Sequence, residues 1–189
     1  METQTRRMKI YIALLRGINV SGHKLIKMTE LKSMFEKAEF KNVTTYIQSG
    51  NVVFSSKKED IVSIQETIKT NILKVFGFDV DVQVLGAEKL QRITENHTFL
   101  EGNQDQLKAV YYTLLAEKPN SEFVKELEQL EQTEEFFKIT DEVIYCFYPN
   151  GVGRAKWQGT FFEKKLKVSS TTRNYNTMKK LTELSKEVD

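Results

Sequence analysis

The sequence predicts an α+β fold of two tandem ferredoxin-like (βαββαβ) subdomains with antiparallel sheets, plus linking and C-terminal helices. Three observations predict it. Short apolar runs alternate with amphipathic helical stripes in the order βαββαβ, a Gly-Asn turn joins two adjacent runs as a hairpin, and the same order of elements recurs after residue 105. The implied division is a first subdomain at 8–86, a linking helix within 87–105, and a second subdomain with the C-terminal helix at 106–189.

Residues 9–15 are apolar and rich in β-formers, which predicts a buried strand. Residues 16–27 follow as a loop, because Gly17, Asn19, Ser21 and Gly22 tolerate tight turns. Leu31, Met34, Phe35 and Ala38 then recur at helical spacing, predicting a helix with Thr29 as N-cap that ends near Phe40. Residues 43–47 and 52–55 are strand-like, and Gly50 and Asn51 between them suit the positive φ angles of a tight hairpin. A stripe of Ile61, Ile64, Ile68, Ile72 and Val75 predicts a second helix closed by Gly77. Val80, Val82 and Val84 alternate with polar residues as a fourth strand.

The second half begins with a linking helix near 88–96 and a strand at 107–115, followed by a helix through Leu130 capped by Ser121. Strands at 136–139 and 143–148, a helix at 160–166 and a brief strand at 168–171 complete the repeat. A terminal helix at 175–187 takes Asn174 as its N-cap.

Composition narrows the function classes. With 40% hydrophobic and 29% charged residues and only two prolines, the chain has the make-up of a packed globular protein. Cys146 is the only cysteine, so no internal disulfide forms and a reducing, cytoplasmic compartment is expected. Two histidines and one cysteine are too few for a common structural zinc site, and neither a metal nor any other cofactor is expected. The apolar run at 10–15 is too short to span a bilayer, so no membrane is expected as partner.

The net charge of +2 conceals a segregation. Acids dominate 117–142, through Glu122, Glu126, Glu128, Glu131, Glu134, Glu135 and Asp141. Between 154 and 180, Arg154, Lys156, Lys164, Lys165, Lys167, Arg173, Lys179 and Lys180 face Glu163 alone. This pattern permits a positive surface patch; the plainer reading is two oppositely charged solvated faces.

Three loops carry the polar signals. Gly17 and Gly22 have the spacing of a phosphate-binding P-loop, but His23 intervenes before Lys24 and no Ser or Thr follows to hold magnesium. Nucleotide hydrolysis is thereby excluded, leaving an anion contact by Arg16, His23 and Lys24 against a simple surface turn. The Pro149-Asn150-Gly151 turn leads to Arg154 and Lys156 without the third glycine of a dinucleotide fingerprint. Ahead of the last helix, Arg173 and Tyr175 exceed what capping requires. No paired-carboxylate or nucleophile motif stands out, and Cys146, within an apolar strand, reads as an inert core thiol.

The runs YIALLRGINV (residues 11–20) and YIQSGNVVF (46–54), with GVGR (151–154), FFEKKL (161–166) and TTRN (171–174), resemble one family, the bacterial domain-of-unknown-function family DUF1697. The resemblance implies a bacterial, cytoplasmic protein with a duplicated ferredoxin-like fold, and it implies no activity. Ser21 departs from the family pattern, which has glycine there.

The expectation is a non-catalytic binder of an anionic ligand, either nucleic acid or a phosphorylated small molecule, through Arg16, Asn19, His23, Lys24, Arg154, Lys156 and Arg173. The alternatives are an enzyme acting on a small polar substrate in a cleft between the subdomains, with His23, Arg154 and Arg173 as site groups, and a module pairing the acidic segment of one chain with the basic segment of another.

Overall fold

The computed structural model describes residues 7–97 and 104–188. Of the linking segment expected at 87–105, residues 98–103 therefore lie outside the described part. The chain is α+β and divides into two compact units, residues 1–91 with 181–189, and residues 92–180.

The first unit holds β1 (Lys9–Leu15), α1 (Met28–Lys37), β2 (Lys41–Tyr46), β3 (Asn51–Ser56), α2 (Ile61–Phe76) and β4 (Val82–Gly86). Its strands form one antiparallel sheet in the order β2-β3-β1-β4. Tyr11, Ala13 and Leu15 of β1 share a core with Leu31, Met34 and Phe35 of α1 and Ile64, Ile68 and Ile72 of α2. The three isoleucines recur every four residues on one face of α2 and are fully buried, each contributing roughly 1.5–3 kcal/mol. Asp60 accepts from the amides of Val62 and Ser63 at the start of α2, and left-handed Gly77 (φ 80) ends it.

The second unit contains β5 (Val110–Leu115), α4 (Ser121–Glu128), β6 (Phe136–Ile139), β7 (Val143–Phe147), α5 (Gly159–Leu166) and β8 (Ser170–Asn174). Its antiparallel sheet runs β6-β7-β5-β8, the counterpart of the first order. Two further helices, α3 (Ala87–Glu95) and α6 (Tyr175–Glu187), flank this set in sequence. Leu127 of α4 and Phe162 and Leu166 of α5 are buried with Phe137, Cys146 and Trp157 in the core of this unit.

Five local expectations are corrected. Helix α1 starts at Met28 with Lys27 as its N-cap and no side-chain cap, because Asn19 already holds the Ile26 amide and the chain enters the helix directly from it. In the hairpin, Gly50 has φ 78, but the other left-handed residue is Ile47 (φ 48), while Asn51 opens β3 and donates to the Tyr46 carbonyl. Asn120, not Ser121, caps α4 by accepting from the Glu122 amide at 2.8 Å. Residues 104–109 form a 3-10 turn, so the strand expected at 107–115 begins at Val110, and the last strand lies at Ser170–Asn174 rather than 168–171. Asn174 does cap α6, accepting from the Thr177 amide at 2.9 Å.

Candidate functional site

The loop from β1 to α1 is pinned at both ends of its path. The Arg16 amide donates to the Asp81 carbonyl at 2.9 Å, and five residues between 17 and 24 have positive φ: Gly17, Asn19, Ser21, Gly22 and Lys24. Such a backbone holds only when side chains and neighbours over-determine it. Asn19 does most of this, since its amide group donates to the carbonyls of Ile26 (3.0 Å) and Gln48 (2.8 Å) and accepts from the Ile26 amide (2.8 Å). Lys24 reaches the Asp79 carbonyl at 2.6 Å. Gly50 completes the seat, because a Cβ there would stand 2.7 Å from Leu15 Cβ and 2.8 Å from Ile18 Cδ1.

Of the four residues expected to bind in this loop, Asn19 and Lys24 are therefore engaged in holding it. His23 is exposed and its amide closes a turn on Val20, while Arg16 is half-buried. The loop also exposes apolar side chains that sequence reading passed over. Leu25 is 66% exposed and Ile47, across the Asn19–Gln48 bond, 48%. Asn19, Leu25, Met28, Glu30 and Gln48 line an open groove here.

In the second unit, the chain leaves β7 through Tyr148, whose hydroxyl donates to the Trp157 carbonyl. Trp157 is buried edge-on against Phe137 at 5.0 Å. Lys156 places its ammonium 5.0 Å from the centre of the Trp157 ring, and its amide donates to both Glu135 carboxylate oxygens at 3.0 and 3.2 Å. Arg154 stands exposed in the short 3-10 turn between them.

Arg173 behaves differently. It is 8% exposed, pairs across the sheet with Tyr112, and donates to Thr171 Oγ1 and the Thr172 carbonyl, each at 2.9 Å. Burial lowers its pKa to about 10. Thr172, the next residue along the pleat, meets Thr113 at 2.9 Å and lies against Gly159 of α5, so Arg173 points to the sheet face away from α5. Arg173 and the cations flanking α5 are not brought together.

On the Arg173 side lies a group that sequence reading missed. Tyr112 donates to the Thr94 carbonyl at 3.2 Å, and its ring meets Tyr145 at 5.8 Å and His97 at 6.5 Å. His97 also meets Tyr175 at 5.5 Å, and its buried Nδ1 has no hydrogen-bond partner. Burial lowers the His97 pKa and raises those of Tyr112 and Tyr145. The available signal was strand parity, which puts Tyr112, Tyr145 and Arg173 on one face once the register is known. Cys146 is fully buried with its pKa pushed up to about 12, which makes it a poor nucleophile. Among the described residues, no three His, Cys, Asp or Glu gather as metal ligands, and no helix is long and apolar enough to cross a membrane.

Charge completes the geometry. Arg154, Lys164, Lys165 and Lys179 are exposed and, among the described residues, have no ion-pair partner. The same holds for the exposed Glu122, Glu126, Glu128, Glu131 and Glu134. Elsewhere in this unit, opposite charges do meet, as in Lys118–Asp141 (2.7 Å) and Arg92–Glu142 (2.6 Å).

The model of a family described as "Protein of unknown function (DUF1697)" matches residues 8–145. The chain belongs to this family. The DUF1697 match holds Arg16, Asn19, His23 and Lys24 and ends within β7, before Arg154, Lys156 and Arg173. Among solved structures, the chain is similar to a conserved bacterial protein from Streptococcus pneumoniae, with 21% identity, 95% of this chain and 99% of that chain covered, and a TM-score of 0.69. At that identity the likeness carries the fold alone. No curated protein matches the chain.

Proposed function

We propose that this DUF1697 protein is a non-catalytic binder of an anionic ligand, and that the ligand is an extended polyanion such as nucleic acid. The observation that carries the reading is the set of exposed cations in the second unit, Arg154, Lys164, Lys165 and Lys179, which lack intramolecular ion pairs among the described residues. Lys156 and Lys167 extend the set while resting on the rings of Trp157 and Phe123. Apart from Lys179, which lies on α6, these charges fall on α5 and in the segments just before and after it in sequence, which suits a chain of phosphates more than one phosphate.

In the first unit, Arg16 and His23 offer contacts on a loop that Asn19 and Lys24 keep in shape. In the second unit, Arg173 is buried within β8. The architecture fits two ferredoxin-like segments, 8–86 and 106–189, joined by 87–105, although residues 181–189 belong with the first compact unit. A free, buried Cys146 accords with a reducing cytoplasm.

Titration with fluorescent single-stranded and double-stranded oligonucleotides at two salt concentrations tests the reading. Binding should weaken steeply with salt, with log K falling by about 0.7 per neutralised phosphate on a single strand. The K164E/K165E variant should lower both the affinity and that slope. No binding at low salt removes the proposal.

A further inference from the structure

The acidic and basic segments of the second unit are neighbours in space. Helices α4 and α5 pack side by side, and the Lys167 ammonium lies 5.2 Å from the centre of the Phe123 ring on α4. Leu127, Phe162 and Leu166 lie in the core, which leaves Glu122, Lys125, Glu126 and Glu128 exposed on α4 and Lys164 and Lys165 exposed on α5.

One half of this helix layer thus carries three exposed acids against the one base Lys125, and the other carries the exposed pair Lys164 and Lys165. No ion pair joins the two rows among the described residues. Packed helices stand about 8–10 Å apart, and side chains pointing straight out from both do not reach across that distance to ion-pair range. The rows stay separate within one molecule, whereas Lys118 meets Asp141 and Arg92 meets Glu142 elsewhere in the same unit.

We infer that the α4–α5 face docks a second copy of this chain, acid on base. Among two-fold arrangements, an axis running along the boundary between the helices lays each α4 on the partner's α5. Glu122 and Glu126 then face the partner's Lys164 and Lys165, and the same match repeats on the other side of the axis. Phe123, Val124 and Phe161, half-buried against the core of this unit, are the apolar side chains of the two helices nearest to hand for such a contact. The association rests on exposed charge, so it is weak, fast and sensitive to salt.

Light scattering at about 10 mM ionic strength, where the screening length is about 30 Å, and at about 1 M, where it is about 3 Å, reads the mass. The wild-type mass should move from the monomer value towards twice that value as salt falls. K164E/K165E makes both rows acidic and E122K/E126K makes both basic, so each variant alone should remain monomeric. An equimolar mixture should associate at low salt, because each variant carries the complement of the other. All four positions are exposed, and circular dichroism checks that both variants keep the wild-type fold.

A wild type that is monomeric at low salt, an E122K/E126K variant that associates undiminished, or a mixture that fails to associate overturns the inference. The E122K/E126K variant keeps the cations of the polyanion reading, so oligonucleotide binding by it separates a failure of self-association from a failure of that reading.

Discussion

The two units repeat one order of elements but distribute their surface charges differently. In the first, several cations are taken up locally: Lys9 meets Glu59, Lys27 meets Glu30, Lys32 meets Glu36, and Lys24 ties its loop to the Asp79 carbonyl, while Lys37, Lys41, Lys57 and Lys74 stand exposed. In the second, a row of cations and a row of acids stand side by side without pairing among the described residues. The burial that builds each sheet and its helices depends on the apolar period alone, so the surface of each copy is free to take its own charge pattern. Surface pairs in the first unit contribute little stability, and leaving charges unpaired in the second costs correspondingly little.

One pair of glycines gives a further contrast between the units and the largest expected effect. Gly50 and Gly151 have nearly the same φ, 78 and 80, yet a Cβ at Gly50 meets Leu15 at 2.7 Å while at Gly151 it meets open space. Gly151→Ala should cost about 1–3 kcal/mol, because φ 80 with ψ 155 is a backbone region essentially reserved for glycine. Gly50→Ala should add overpacking of about 1–3 kcal/mol to the penalty of its own positive φ. Urea midpoints of the two variants measure the gap, and equal losses would break the comparison.

Next in size is Asn19→Ala, which removes three hydrogen bonds from the first loop. At roughly 0.5–1.5 kcal/mol net each, partly offset by relaxation, the loss should be about 1–3 kcal/mol. Asn174→Ala in the second unit removes one cap bond and should cost about 1 kcal/mol. Thermal unfolding of the pair ranks them.

The smallest effect separates the two histidines. His97 is partly buried with its pKa lowered by burial, whereas His23 is exposed. The folded state resists protonating His97, so the unfolded state binds more protons once pH falls below about 6.5. Stability should be flat above that value on account of His97 and decline as pH drops towards the folded pKa. In His97→Asn this part of the decline should vanish, and in His23→Asn it should persist, as read from urea midpoints between about pH 5 and pH 8.

Most elements of the fold are legible in the sequence. The four-residue spacing of Ile64, Ile68 and Ile72 marks α2, and Gly77 marks its end, because both signals are local. The start of α1 is less legible: Thr29 looks like a cap, but the chain direction there is set by Asn19, whose partners include Gln48 far along the sequence. The candidate site is legible only as residue types. Asn19 and Lys24 read as ligand contacts because an amide or an ammonium in a glycine-containing loop suits both an anion and a backbone carbonyl. Arg173 reads as a surface cation because strand parity alone does not say which side of a sheet is covered.

What the sequence by itself determined is the set and order of helices and strands and the segregation of acids from bases, since periodicity and charge are properties of neighbouring residues. Tertiary structure alone decided that the acidic and basic segments lie on adjacent helices, that Arg173 is buried on the face away from α5, and that Gly50 admits no Cβ. Each of these depends on which distant residues the sheet register brings within a few ångströms, and no local preference encodes that.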